Sequence, residues 1–168
     1  MQSHPRWIVD ALHDALASWR GSASWGETED LLAADNENAG VTLVARPGRT
    51  TVEDLLTIPG SYPGRWSPYA VALGGGLPGD VREVRSGDAG VQDEGSQLVA
   101  LALSRASIDG GDAAWLDMAA GPGGKAALLA GLGLDRGAGL VAADRTHHRS
   151  GLVAQALRGA PGRHVVVT

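Results

Sequence analysis

The sequence has 168 residues, of which 43% are hydrophobic, so it can fold around a core, and wholesale disorder is excluded. It contains no cysteine, which excludes disulfides, thiolate metal sites and a thiol nucleophile within these residues. The formal net charge of −5 is not the basic excess of a domain that binds RNA on its own. The pattern of apolar residues predicts neither a membrane span nor a signal peptide, so a cytoplasmic protein is expected.

The first half of the sequence predicts a mixture of short helices and strands. Thr51 is expected to cap a helix that carries Glu53 and Asp54 in its first turn. The stretch over 74–90 is rich in glycine and charge, and it is the best boundary candidate, which predicts domains over 1–85 and 86–168. The predicted elements are helices over 5–19, 27–34 and 51–56 and strands over 41–45 and 69–73.

The second half alternates strands with helices. This alternation predicts a parallel sheet with right-handed crossovers, β-α-β-α-β, which is the first half of a nucleotide-binding α/β domain. Because the pattern stops after three strands, the sequence is expected to be a fragment whose open sheet edge causes marginal stability or self-association. The predicted elements are helices over 93–104, 125–132 and 145–157, a buried strand over 113–118, and strands over 139–143 and 165–167.

A glycine-rich loop follows the strand over 113–118. Gly121, Gly123 and Gly124 have no side chains, so their backbone N–H groups can approach a ligand, and the next helix directs its positive end to the same place. Asp144 ends the following strand, where an acid can accept hydrogen bonds from both ribose hydroxyls of an adenosine cofactor. The competing interpretation is a plain glycine turn with a surface aspartate.

The acid directly before the loop bears on the choice of cofactor. A carboxylate at Asp117 suits a ligand with an ammonium group, and the helix start suits a carboxylate, so the pair matches the amino-acid end of S-adenosylmethionine. Asp117 could instead cap the loop by accepting backbone N–H hydrogen bonds. A nicotinamide or flavin dinucleotide and a non-catalytic RNA-binding module remain the alternatives, although the glycine spacing is not that of the dinucleotide fingerprint.

Two motifs make the prediction more specific. Residues 91–98 read Val-Gln-Asp-Glu-Gly-Ser-Gln-Leu, and residues 116–125 read Leu-Asp-Met-Ala-Ala-Gly-Pro-Gly-Gly-Lys. In tandem they resemble the Sun-type (Nol/Nop/Sun) family of RNA (cytosine-5) methyltransferases, which carries Gln-Asp-x-x-Ser-Gln before Asp-x-Cys-Ala-Ala-Pro-Gly-Gly-Lys. Residues 3–9 and 65–68 also resemble the members that act on bacterial 16S ribosomal RNA.

The resemblance implies a small RNA-recognition-like α+β subdomain followed by the first half of a Rossmann-like, S-adenosylmethionine-dependent methyltransferase domain. Ribosomal RNA is the implied partner of the longer protein, and the segment over 92–97 is expected to support the site. The family's nucleophile is a cysteine that adds to carbon 6 of cytosine; this sequence has no cysteine, so alone it is expected to be inactive. The residues implied to bind the donor are Asp117, Ala119, Ala120, Gly121, Pro122, Gly123, Gly124, Lys125 and Asp144.

Two other features bear on function. His147 and His148 are adjacent on a predicted helix, so they do not face the same way, and no metal is expected. The five tryptophans could stack on bases, but most of them are expected in the core because large aromatic residues are scarce.

Overall fold

The computed structural model describes residues 4–22, 24–37 and 40–168, with Arg20 described by its backbone alone. The chain divides into two compact units, Met1–Ala39 and Gly40–Thr168. None of the helices among the described residues is long and apolar enough to cross a membrane.

The first unit contains two helices, α1 (Arg6–Arg20) and α2 (Trp25–Asp35). Gly21 ends α1 in the left-handed conformation (φ +79°), and Ser24 caps α2 by accepting a 3.1 Å hydrogen bond from the Glu27 N–H. Both predicted helices are confirmed to within about two residues at each end. Ser3, the first residue of the N-terminal resemblance, lies outside the described residues.

The second unit begins with a four-stranded antiparallel sheet in the order β2-β3-β1-β4. Strands β1 and β3 are its inner strands, because β1 pairs with β3 and β4, and β3 pairs with β1 and β2. The predicted Thr51 cap is confirmed as a capping box in which Thr51 and Asp54 each satisfy the other's backbone N–H. The elements are β1 (Thr42–Ala45), α3 (Val52–Leu55), β2 (Tyr62–Pro63), β3 (Ala70–Ala72), a 3-10 turn (Pro78–Asp80), α4 (Arg82–Ser86) and β4 (Ala89–Val91).

A three-stranded parallel sheet follows, in the order β5-β6-β7. Two helices connect its strands, which gives the predicted β-α-β-α-β arrangement of a Rossmann-like half-domain. Helix α5 precedes the sheet and packs against α6. The elements are α5 (Glu94–Arg105), β5 (Ala114–Asp117), α6 (Gly124–Leu134), β6 (Gly139–Ala143), α7 (His147–Ala156) and β7 (His164–Val167).

The two faces of the parallel sheet differ in burial. Trp115, Leu140 and Ala142 are buried in one core with the apolar residues of α6 and α7. On the opposite face, Leu116 is 55% exposed and Val165 is 50% exposed. The expectation of a buried strand over 113–118 is therefore wrong for the face that carries Leu116, because about half of that side chain stays exposed.

The tryptophans also differ from expectation. Of the five, all of which lie in the described ranges, Trp115 alone is buried. The core that contains it is built mostly from Leu, Val and Ala side chains, so the scarcity of aromatics did not force the others inside. The exposed ones are Trp7, Trp19, Trp25 and Trp66.

The predicted domain boundary between residues 85 and 86 falls within α4 (Arg82–Ser86). Strand β4, which comes after it, still pairs with β1 in the antiparallel sheet. The parallel sheet begins only at Ala114. The division into domains over 1–85 and 86–168 stays a prediction about which segments fold together.

Candidate functional site

The glycine loop joins the carboxyl end of β5 to the start of α6. The Ala120 N–H donates a 2.9 Å hydrogen bond to the Ala143 carbonyl at the end of β6, and the Gly123 N–H donates to the Ala120 carbonyl at 2.7 Å. Gly123 has a φ of +110°, and a Cβ on it would lie 2.5 Å from the Ala156 Cβ of α7. Glycine is therefore required at 123 both by its backbone conformation and by the close approach of α7.

Asp144 lies directly beside this loop. Its Oδ2 accepts a 3.2 Å hydrogen bond from the Gly121 N–H, and its Oδ1 accepts a 2.9 Å bond from the Thr146 N–H. Arg149 contacts both Asp144 and Gly121: its Nε lies 3.3 Å from Asp144 Oδ2, and its Nη2 donates to the Gly121 carbonyl. Asp144 lines a cavity of about 290 Å³ with Met118, Ala119 and Thr146, and the hydrogen bond from Gly121 joins the glycine loop to the edge of this cavity.

The environment of Asp144 favours its charged form. The hydrogen bond from Thr146 is the largest influence on its pKa, burial opposes it, and Gly121 and Arg149 add to the stabilisation of the carboxylate. The net effect is a pKa below the ordinary value of an aspartate. Asp144 is thus a fixed anion that accepts hydrogen bonds at the carboxyl end of the sheet.

Asp117 has one satisfied and one unsatisfied oxygen. Its Oδ1 accepts a 3.1 Å hydrogen bond from the Ala119 N–H, which is the loop-capping role that the sequence allowed. Its Oδ2 is buried and has no hydrogen-bond partner among the described residues. The residue lines an apolar cavity of about 380 Å³ together with Val99, Leu103 and Met118. A buried oxygen without a donor is a position where a ligand's ammonium group could bind.

Gln92 is a candidate that was not included among the predicted donor-binding residues. It is only 7% exposed, and neither its side-chain oxygen nor its side-chain nitrogen has a partner in the described part of the chain. It lines a third cavity, of about 270 Å³, together with Ser96, Pro122 and Lys125. This cavity lies at the N-terminus of α6, where backbone N–H groups favour an anionic ligand. The sequence feature that could have identified Gln92 was its position at the start of the motif over 92–97.

The rest of that motif holds α5 against the antiparallel sheet. The Glu94 carboxylate accepts hydrogen bonds from the N–H groups of Arg65, Trp66 and Ser67 at 3.0, 2.5 and 2.7 Å. The buried Gln97 amide donates to the Gln92 carbonyl at 2.9 Å and, through its oxygen, accepts from the Ser67 hydroxyl at 2.6 Å. Through Gln97, the motif therefore connects the backbone of Gln92 to Ser67, which is distant in the sequence.

The predicted donor-binding residues, except Gly123, are divided among these three cavities. Ala119 lines the crevice with Asp144, and Lys125 lines both of the other two cavities. His147 and His148 are exposed at the start of α7, and no metal-binding group of three or more His, Asp or Glu occurs among the residues with described positions. The residues that line the third cavity include Ala120, Gly121, Pro122 and Gly124.

A fourth cavity lies at the opposite end of the parallel sheet. It has a volume of about 290 Å³ and is lined by residues at the amino ends of the strands, including Ala114, Gly139 and His164. Ligands of open α/β sheets bind outside the carboxyl ends of the strands. The glycine loop and Asp144 are at the carboxyl ends, so the three cavities there form the candidate site.

A parallel sheet with a glycine loop after its first strand and an acid after its second defines a Rossmann-like nucleotide-binding half-domain. Comparison with known proteins gives a family match over the second half of the chain. Residues 107–168 match the family described as 16S rRNA methyltransferase RsmB/F. The matched residues include the glycine loop and Asp144, and the match confirms the resemblance of the motifs to the Sun-type family.

Two curated relatives are similar in sequence, and one solved structure is similar in fold. The Mycobacterium tuberculosis proteins named "Putative methyltransferase MT1451" (strain CDC 1551 / Oshkosh) and "Putative methyltransferase Rv1407" (strain ATCC 25618 / H37Rv) are each 50% identical over 171 residues. The match covers 98% of this chain and 36% of each relative, so the chain spans about a third of their length. The structure titled "Crystal Structure of PH0851" has the same fold, with a TM-score of 0.78 at 19% identity, over 97% of this chain and 36% of that one.

Proposed function

We propose that this chain supplies the donor-binding part of an S-adenosylmethionine-dependent enzyme that methylates carbon 5 of cytosine in ribosomal RNA. The observation that carries the proposal is the 3.2 Å hydrogen bond between the Gly121 N–H and Asp144 Oδ2. It joins the glycine loop directly to a carboxylate at the carboxyl end of the sheet, which supports binding of an adenosine ligand there. The matched family supports methylation of ribosomal RNA. Carbon 5 of cytosine is the target that the resemblance of the motifs over 92–97 and 117–125 implies.

The residues present fit the amino-acid end of the donor. Asp117 Oδ2 is a buried oxygen without a partner in the described part of the chain, and it suits the donor's ammonium group. The N-terminus of α6 and the unpartnered Gln92 amide suit its carboxylate. When bound, S-adenosylmethionine would supply an electrophilic methyl group, and the protein's contribution here would be to hold and orient it.

Asp144 would hold the donor's ribose only by exchanging one of its present partners. Each carboxylate oxygen offers about two acceptor sites, and Oδ2 already accepts from Gly121 and contacts Arg149. Oδ1 accepts from Thr146 and has one site left. Two ribose hydroxyls would therefore bind Asp144 if the half-exposed Arg149 side chain moves away.

Transfer to carbon 5 needs a thiolate that adds to the cytosine ring, as in the family. These 168 residues contain no cysteine, so they supply no such nucleophile. Donor binding is therefore the activity to be tested in this chain. The RNA substrate and a cytoplasmic location are part of the same proposal.

Calorimetry with S-adenosylhomocysteine, and separately with NAD, tests the proposal. The chain should bind S-adenosylhomocysteine and not NAD, and Asp117→Asn should weaken binding because the amide cannot hold an ammonium group as a carboxylate does. Binding of NAD alone would assign the loop to a dinucleotide enzyme. Binding of neither ligand, with RNA bound instead, would assign the chain to the class of non-catalytic RNA-binding modules.

A further inference from the structure

Trp66 is an exposed aromatic side chain on a rigid backbone. It lies between β2 and β3, and 63% of it is exposed. Its own N–H and those of Arg65 and Ser67 all donate to the Glu94 carboxylate. Burial opposes ionisation of Glu94, but these three hydrogen bonds and the Arg65 charge prevail and lower its pKa. The segment that carries Trp66 is thus held by a carboxylate that stays charged at neutral pH.

Gly64 shows how tightly this segment is packed. A Cβ on Gly64 would lie 2.3 Å from the Ala70 Cβ and 3.0 Å from Glu94 Oε2. No side chain fits there, so the backbone before Trp66 lies directly against β3 and the Glu94 carboxylate. The indole is therefore presented outwards from a fixed base.

The Trp66 ring already has a cation next to it. The guanidinium carbon of Arg65 lies 4.5 Å from the ring centroid, within the range of a cation–π interaction. By contrast, the exposed Trp25 ring is stacked on His13 with centroids 3.9 Å apart. Trp66 and Arg65 together offer an aromatic surface and a positive charge, the combination that binds single-stranded nucleic acid by base stacking and phosphate attraction.

Trp66 is also connected to the candidate donor site. Ser67, the next residue, is hydrogen-bonded to Gln97, and Gln97 is hydrogen-bonded to the backbone of Gln92. Gln92 in turn lines one cavity together with Gly124, the first residue of α6. A base stacked on Trp66 would therefore lie on a segment that is hydrogen-bonded, through Gln97, to the residue that lines a cavity with the glycine loop.

We propose that Trp66, assisted by Arg65, is a stacking site for an unpaired nucleobase of the RNA substrate. The inference rests on the proposed function, since it takes RNA to be the substrate. The stacking site would add affinity and hold the strand beside the donor cavities, and it would discriminate little between bases because every base has a π-face.

Binding of a fluorescein-labelled single-stranded RNA 12-mer at low salt, followed by anisotropy, tests the site. Stacking on an aromatic side chain contributes about 1–3 kcal/mol per base, so Trp66→Ala should weaken binding about 5- to 140-fold. Trp66→Phe should recover most of the affinity. Arg65→Gln should lower the affinity and reduce the salt dependence by about one charge. Trp19→Ala is the matched control: Trp19 is also exposed, at 88%, but it lies outside the segment that Glu94 holds, so its replacement should leave RNA binding unchanged.

The outcomes separate this site from the proposed function. If the chain binds S-adenosylhomocysteine while Trp66→Ala leaves RNA affinity unchanged, or if the chain binds no RNA, the stacking site is wrong and the donor site stands. If Trp66→Ala weakens RNA binding but S-adenosylhomocysteine does not bind, the stacking site stands and the donor site fails. If Trp66→Ala instead shifts a monomer–dimer equilibrium at unchanged RNA affinity, Trp66 belongs to a contact between copies, and the inference is overturned.

Discussion

Replacing Gly121 with alanine should separate the glycine loop from Asp144. A Cβ on Gly121 would lie 2.6 Å from Asp144 Oδ2 and 2.6 Å from Arg149 Nε, closer than any such contact allows. The Arg149 side chain is half exposed and can move, whereas the Asp144 side chain is 8% exposed and is held by Thr146. The alanine is therefore accommodated by moving the loop away from the carboxylate, which breaks the hydrogen bond from Gly121.

The expected loss in the free energy of unfolding follows from the hydrogen bond between Gly121 and Asp144. A hydrogen bond to a charged group contributes about 1.5–3 kcal/mol, and alanine recovers about 0.4–1 kcal/mol by restricting the unfolded chain. The free energy of unfolding should fall by roughly 1–2 kcal/mol, which lowers the Tm of a domain of this size by roughly 2–8 °C. Urea and thermal unfolding measure the loss, and calorimetry with S-adenosylhomocysteine should show weaker binding.

Gly124→Ala is the matched control for Gly121→Ala. Gly124 begins α6, and a Cβ on it would lie 3.7 Å from its nearest neighbouring atom, which is ordinary contact. Alanine in place of a helical glycine should stabilise the chain by up to about 1 kcal/mol. If Gly121→Ala were as stable as Gly124→Ala, the contact between the loop and Asp144 would not hold the site together.

Three further changes test other contacts. Glu94→Gln should weaken the three hydrogen bonds to residues 65–67. Because the pKa of Glu94 is lowered in the folded chain, its carboxylate stabilises the fold above its unfolded pKa of about 4.3, and this stabilisation is lost as the pH falls through the folded pKa. Unfolding measured across the acid range should therefore show a smaller loss of stability for the variant than for the unchanged chain. Arg49→Ala should lower the free energy of unfolding in urea by about 1.5–3 kcal/mol, because two nitrogens of Arg49 bind Asp88 at 2.8 and 2.6 Å. Arg49→Lys should recover only part of the lost stability, and equal stability of all three chains would contradict this. The exposed face of β7 should promote self-association in addition to the open sheet edge that the sequence predicts, so Val165→Thr combined with Val167→Thr should reduce it. Sedimentation of the unchanged chain as a monomer at all concentrations would refute this expectation.

The parts of the fold that the sequence predicted are set by local patterns. The strands at β5 and β6 and the helix α6 follow from apolar runs and from the glycines between them. The Thr51 capping box is encoded within four residues. The position of Asp144 beside the loop also follows from sequence, because the carboxyl ends of neighbouring parallel strands lie at one edge.

The parts that were missed depend on residues far apart in the chain. Strand β4 has three residues, Ala89–Val91, and is a strand because it pairs with β1, more than forty residues earlier. The stretch over 74–90 is rich in glycine and charged residues, as linkers are, so its composition did not predict the short helix α4. Glu94 and Gln97 bind a segment 27–30 residues away, so no local spacing could show the contacts of the motif over 92–97.

The functional residues were divided in the same way. The motif predicted the loop, and the end of the second strand predicted Asp144, but neither showed that the Gln92 amide is buried without a partner among the described residues. Nor did composition show that Trp66 is exposed, because the burial of an aromatic residue depends on which helices cover it. Arg149, which contacts both Gly121 and Asp144, lies on a helix whose orientation no local pattern reports.

The central claim is that the glycine loop and Asp144 bind one ligand together. Titration of the ¹⁵N-labelled chain with S-adenosylhomocysteine, followed by amide NMR shifts, tests it residue by residue. The amides of Gly121, Gly123 and Thr146 should shift along a single binding curve, and Asp144→Asn should abolish or weaken that curve. Shifts at Gly139 and Arg163 instead, around the cavity at the amino ends of the strands, would contradict the account.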